Sequence, residues 1–277
     1  MTSTYYDVPL LKPPAWTWGV PLYFFVGGAA GGASLIAAVA EWSGADGTLA
    51  PDARWIAAGG APISAALLTT DLGRPERFVN MLRVFKPQSA MSVGSWTLAA
   101  FSATTTGALL PPLGKAAGTT SAAFGAIMLT YTGVLIGATA IPVWNENVHP
   151  LPAHFAASGL ASAAAMLTLA GYDEPALNDI ALGAAAVETI LGAIVERRTS
   201  KALAPLREGP SGWIIRIGGV LSGPSARHAR HPEAVRVAQG GECRGAGGIA
   251  ADATRMDCRR PRLRGREILI RYFSHHL

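Results

Sequence analysis

The chain has 277 residues, of which 50% are hydrophobic and only 15% are charged. Soluble domains carry about 25% charged residues, so this composition disfavours a soluble globular protein and favours one that meets lipid. The net charge of +5 does not indicate nucleic-acid binding, because residues 1–223 carry 12 Lys or Arg against 13 acids, while residues 224–277 carry 11 Arg against 5 acids.

The apolar residues fall in blocks of about twenty, the length a helix needs to cross a hydrocarbon core of roughly 30 Å. We therefore predict an all-α fold, a polytopic transmembrane bundle of about six helices within residues 16–198. Residues 1–15 form a short N-terminal lead that lacks the features of a signal peptide. The predicted spans are residues 16–40, 55–70, 92–110, 119–141, 151–170 and 176–195.

The first predicted span opens with aromatic residues, which suit the interface between membrane and water. Small residues follow them, in a pattern that lets helices approach closely in lipid. The aromatic residues are Trp16, Trp18 and Tyr23, and the glycines are Gly27, Gly28, Gly31 and Gly32.

After the sixth span the apolar character fades. For residues 199–222 we predict an amphipathic or incomplete helix. Residues 223–277 predict a disordered basic tail, and their bias toward Arg, Gly and Ala also fits out-of-frame translation of a GC-rich gene. Both cysteines, Cys243 and Cys258, lie in this tail. Two cysteines cannot supply the four thiolates of a typical iron–sulfur cluster, so no such cluster is expected in this chain.

A charged loop after the second span carries the most specific pattern in the chain. Residues 71–96 read DLGRPERFVNMLRVFKPQSAMSVGSW. This segment resembles the loop of the NrfD family, the membrane-subunit type of polysulfide reductases. Residues 16–28, 131–135 and 151–159 resemble the family's first, fourth and fifth helices, so the resemblance covers roughly residues 5–200.

The resemblance implies a membrane subunit that binds a quinone, either menaquinone or ubiquinone. It also implies electron exchange with a ferredoxin-like iron–sulfur subunit, which in many complexes serves a molybdopterin catalytic subunit. Such a chain is a multi-pass protein of the cell inner or plasma membrane and is not catalytic alone. Family members commonly have eight or more helices, so six is a departure from the pattern.

Three aromatic side chains are candidates for the quinone pocket. Tyr131 lies in the middle of the fourth span, and by resemblance it matches a quinone ligand of the family. Its phenol could instead join two helices through a hydrogen bond. Trp18 and Tyr23 begin the first span, which helps to line the pocket in the family. The alternative role for both is in the aromatic belt.

Charged residues supply the remaining candidates. Asp71 and Arg74 flank a turn at the membrane edge, where they could contact the cofactor. Asp71 could relay protons, and Arg74 could pair with it or contact a partner subunit. Alternatively, the two residues form a structural ion pair that caps the helix end. Glu188 is the acid deep in a predicted span, so it could belong to a proton path or pair with a neighbouring helix.

Two histidines, His149 and His154, lie near the start of the fifth span, and only His154 is inside it. A membrane haem held by two histidines is therefore not expected, and no metal site is predicted. Two other functions remain open. A proton-coupled or small-solute transporter would need a polar pocket at mid-membrane and repeated helices. A purely structural anchor would lack the quinone site.

Overall fold

The computed structural model describes residues 17–44, 47–71, 76–139 and 141–197. Within these residues all regular structure is helical, which confirms the all-α prediction. Trp16, Arg74 and the predicted segments 1–15, 199–222 and 223–277 lie outside the described residues. The helices are α1 Gly19–Ser43, α2 Leu49–Asp71, α3 Glu76–Met81, α4 Ala90–Gly107, α5 Gly114–Gly137, α6 Pro142–Asn145, α7 Pro150–Leu169 and α8 Pro175–Arg197.

The six long helices correspond to the six predicted spans, with differences at their ends. α2 begins at Leu49 instead of residue 55, and α5 begins at Gly114 instead of residue 119. The first two turns of these helices contain the charged residues Arg54 and Lys115, which are not expected in a membrane span. In the structure Arg54 pairs with Glu41, and Lys115 is exposed at the start of its helix. The short α3 and α6 were not predicted, because one or two turns hold no periodic pattern.

Three helices of the described part are long and apolar enough to cross a membrane, namely α1, α5 and residues Pro175–Val195 of α8. α1 has 25 residues and α5 has 24. At 1.5 Å per residue they extend about 37 and about 36 Å, enough for a hydrocarbon core of roughly 30 Å. The chain is a membrane protein. Membrane crossing by α2, α4 and α7 stays a prediction.

α4 is more polar because hydroxyl side chains crowd its second half. They donate to backbone carbonyls three or four residues earlier, at 2.8 to 3.1 Å. Hydroxyls bonded in this way need no water, so a helix that carries them can lie among apolar neighbours. These residues are Ser102, Thr104, Thr105 and Thr106.

α1 is the central helix and contacts α2, α5 and α7. A Cβ atom on Gly31 would lie 2.8 Å from the carbonyl oxygen of Gly125 in α5, and one on Gly32 would lie 2.8 Å from that of Gly159 in α7. No larger residue fits these crossings without moving a backbone. The glycine pattern of the first span therefore sets the spacing of three helices.

The long helices alternate in direction, which gives the bundle two ends. At the Asp71 end, the start of α1 meets the end of α2, where Thr17 donates to Oδ1 of Asp71 from its backbone N–H at 3.0 Å and its hydroxyl at 2.5 Å. At the opposite end, called the Arg54 end, Arg54 pairs with Glu41 of α1. α8 packs against α7.

Candidate functional site

Tyr131 lies on α5 and faces the interior of the bundle, with 7% of its surface exposed. Its phenol lies against the backbone of Gly94 on α4, where a Cβ atom would collide with both the ring and the oxygen. Gly137, where α5 ends, lies six residues after Tyr131. The phenol is therefore about 9 Å along the helix from the Asp71 end.

Tyr23 of α1 is the second buried phenol. It is 1% exposed, and its hydroxyl has no hydrogen-bond partner among the described residues. Its ring approaches the backbone of Gly27 beside Met128, which lies one turn before Tyr131 on α5, so the two phenols belong to the same region of the interior. We call these two residues the tyrosine pair.

A third buried hydroxyl lies on α2. Ser64 is 0% exposed, and within the described part of the chain its Oγ also has no hydrogen-bond partner. Three side chains meet at the backbone of Gly27 on α1. The position of a Cβ atom there lies 3.4 Å from Ser64 Oγ, 3.4 Å from the methyl carbon of Met128 and 3.6 Å from the ring of Tyr23.

Hydroxyls left without partners in an apolar interior are costly, at about 1–3 kcal/mol each. Tyr23 and Met128 belong to the buried hydrophobic core, together with Leu98 and Phe101. Apolar walls with a few convergent polar groups are the usual composition of a small-molecule site. The two unpartnered hydroxyls, those of Tyr23 and Ser64, make this region the candidate site.

Asp71 is the last residue of α2 and lies seven residues after Ser64. Residues seven apart share one face of a helix, so both are on the side that meets α1. The Asp71 carboxylate accepts two hydrogen bonds from Thr17, just before α1 begins. A carboxylate at this position stabilises α1, because it satisfies a free N–H and offsets the positive end of the helix dipole.

Comparison with known protein families identifies the family of this chain. Residues 1–205 match the family model NrfD_2, described as polysulfide reductase, and so cover 205 of the 277 residues. The chain belongs to the NrfD family. The resemblance inferred from residues 71–96 is thus confirmed, and the protein is a membrane subunit of the oxidoreductase type. A comparison with curated proteins finds no match.

Trp18 of this NrfD protein lies apart from the tyrosine pair. Its side chain is 76% exposed at the start of α1, and that of Trp42 is 68% exposed at the other end. Trp42 lies 24 residues after Trp18, a rise of about 36 Å along the helix. Two outward-facing tryptophans at this separation fit the two interfaces of a bilayer, which favours the aromatic-belt role for Trp18.

Glu188 also lies away from the tyrosine pair. It is half-buried on α8, which packs against α7, and no hydrogen bond between described residues links it to Tyr23 or Tyr131. His154 is half-buried beside Phe155, with ring centroids 6.2 Å apart.

Sequence reasoning about the NrfD pattern missed two residues at this site. Gly94 stands inside the matching loop motif, but its role depends on the phenol of another helix. Ser64 carries no signal in the sequence, since a serine in an apolar helix ordinarily bonds to its own backbone. Only the three-dimensional arrangement shows that its hydroxyl faces α1.

Proposed function

We propose that this NrfD-family chain is the quinone-binding membrane anchor of an oxidoreductase that contains iron–sulfur and molybdopterin subunits. It exchanges electrons between the quinone pool and the partner iron–sulfur subunit, and it has no complete active site alone. The observation that supports the proposal is the tyrosine pair, two buried phenols in an apolar interior that lies within the membrane bundle.

Quinone chemistry suits hydroxyl groups. A quinone takes up two electrons and two protons to become a quinol, so its two carbonyl oxygens become hydroxyl groups. A phenol can both donate and accept a hydrogen bond, and it can therefore bind either form. In this proposal Tyr131 bonds to one quinone oxygen, and Tyr23 gains the partner that its buried hydroxyl lacks.

Protons reach the site from the Asp71 end. Asp71 is half-buried and lies seven residues after Ser64, a rise of about 10.5 Å along α2. Its carboxylate can carry a proton between water and the interior, in addition to holding Thr17. Glu188 stands further from this route, on a helix that packs against α7.

Electrons enter or leave at the same end in this proposal, because electron transfer weakens steeply with distance. The loop between α3 and α4 lies there, and its Arg83, Val84, Phe85 and Lys86 are exposed. Exposed apolar side chains flanked by cations suit a docking surface for a partner protein. The partner proposed is a ferredoxin-like subunit, which in turn contacts the molybdopterin subunit of a complex in the cell inner or plasma membrane.

Replacement of Tyr131 by phenylalanine tests the proposal, because it removes one oxygen atom and leaves the ring in place. We expect Tyr131→Phe to weaken binding of a short-chain naphthoquinone to the purified complex by about tenfold, the cost of a lost hydrogen bond in a buried site. Isothermal titration calorimetry measures this affinity directly.

Tyr172→Phe is the matched control. The Tyr172 hydroxyl donates to Oδ2 of Asp52 at 2.6 Å at the Arg54 end, so its loss should leave quinone affinity within about twofold. Equal affinities of the wild-type protein and Tyr131→Phe would remove Tyr131 from the site. No measurable binding of naphthoquinone or benzoquinone by the wild-type complex would refute the function.

A further inference from the structure

Ser64 has a hydroxyl whose orientation is unusual for its helix. The threonines that follow it on α2 turn back on their own backbone, with Thr69 donating to Ala65 at 2.9 Å and Thr70 donating to Leu67 at 2.8 Å. Ser64 makes no such bond within the described residues, although it is fully buried. Its Oγ instead faces α1 beside Gly27.

The neighbourhood of that oxygen is mainly apolar, and one of its neighbours is also short of a hydrogen bond. Met128 and the ring of Tyr23 approach the same Gly27 position, and the Tyr23 hydroxyl has no partner in the described part of the chain. Two buried hydroxyls without hydrogen bonds both destabilise the fold, so a purely structural role does not explain them. Because the Ser64 hydroxyl and the Tyr23 ring lie beside the same glycine, one polar ligand is the candidate partner for both hydroxyls.

We infer that Ser64 is a quinone-binding residue, donating a hydrogen bond to a quinone oxygen and accepting one from the corresponding quinol. This inference rests on the proposed function and adds α2 to the wall of the site. The Ser64 hydroxyl has both a donor and an acceptor, so it stays bonded in both redox states without changing its own protonation. The site then has one hydroxyl from each of α1, α2 and α5.

A ligand role and a structural role predict opposite effects of removing this hydroxyl. If Ser64 binds quinone, Ser64→Ala removes a polar atom that has no partner when quinone is absent, so the melting temperature without quinone should stay the same or rise. Quinone affinity should fall. A serine that held the bundle together would lower the melting temperature when replaced.

The experiment measures both properties on the purified complex. Short-chain naphthoquinone and benzoquinone are titrated by calorimetry, and melting is followed by circular dichroism with and without each quinone. For Ser64→Ala we expect a loss of affinity of about five- to tenfold. Ser121→Ala is the matched control, because Ser121 is a buried serine of α5 whose hydroxyl donates to Gly118 at 2.8 Å. Its quinone affinity should stay within about twofold of wild type.

The outcomes separate the two claims. Unchanged affinity in Ser64→Ala, together with a loss in Tyr131→Phe, would overturn the role of Ser64 and leave the quinone function standing. A lower melting temperature of Ser64→Ala in the absence of quinone would make Ser64 a structural residue. Failure of the wild-type complex to bind either quinone would remove the proposed function, and the inference with it.

Discussion

The Tyr131 phenol occupies space on α4 that is open only because residue 94 is a glycine. Gly94 of α4 leaves room for the ring, and any Cβ atom there would overlap with it. Large residues forced into a packed interior displace their neighbours and cost stability. Gly94 is thus a condition for the geometry of the tyrosine pair.

Gly94→Ala tests this condition. The added methyl group should move Tyr131 or push α4 away, so we expect the affinity for a short-chain naphthoquinone to fall by roughly tenfold or more. Calorimetry on the purified complex measures the change, and circular dichroism should show unchanged helical content. Gly183→Ala on α8 is the control, because no described atom lies within 4 Å of its Cβ position. Wild-type affinity in Gly94→Ala would show that the phenol position is not needed for binding.

Residue by residue, the sequence predicted the candidates that belong to a recognisable pattern. Tyr131 and Tyr23 could be named because the resemblance covers their helices. Ser64 could not, since its importance comes from the direction of its hydroxyl, which depends on packing. For Trp18 the sequence left two roles open, in the quinone pocket and in the aromatic belt. Its exposure in the structure favours the aromatic belt.

At the scale of helices, Asp71 connects two elements. It ends α2 and accepts both hydrogen bonds from Thr17 at the start of α1. The sequence predicted a capping or ion-pair role as one of two possibilities, with Arg74 as partner. The structure shows Thr17 as a partner, and Arg74 lies outside the described residues.

Asn and Ala replacements of Asp71 separate capping from proton transfer. Asp71→Ala removes the acceptor, so we expect the free energy of unfolding to fall by about 1 kcal/mol, as for other lost caps. Asp71→Asn keeps an oxygen for Thr17 but cannot carry a proton. We expect near wild-type stability and several-fold slower quinone turnover by the complex, measured by stopped-flow absorbance. Wild-type turnover in Asp71→Asn would limit Asp71 to a structural role.

The long helices were predictable because apolar blocks of bilayer length define them. Their ends were less predictable, as α2 shows. Its first two turns contain Asp52 and Arg54. These residues look unsuited to a span, but in the structure Arg54 pairs with Glu41 of α1 and Asp52 accepts a hydrogen bond from Tyr172. Pairing between helices depends on the tertiary structure, so it cannot be predicted from the hydropathy of one segment.

For the molecule as a whole, the two ends of the bundle differ in chemistry. The tyrosine pair and Asp71 lie toward one end, and the Glu41–Arg54 ion pair closes α1 and α2 at the other. Removal of one member of this partly shielded ion pair would leave an uncompensated charge between the two helices, which is destabilising. The family could be predicted from a single loop, whereas the site is assembled from four helices and needed the fold.

Photolabelling with an azido-quinone reports where a quinone ring lies in the assembled membrane complex, and it therefore tests whether quinone binds between α1, α2 and α5. After irradiation and digestion, mass spectrometry identifies the labelled peptides. We expect label near Tyr23 of α1, Ser64 of α2 and Tyr131 of α5, and we expect this label to be lost when excess unlabelled quinone is present. Label confined to the outward surface of α8, or spread over lipid-facing residues without competition, would contradict it.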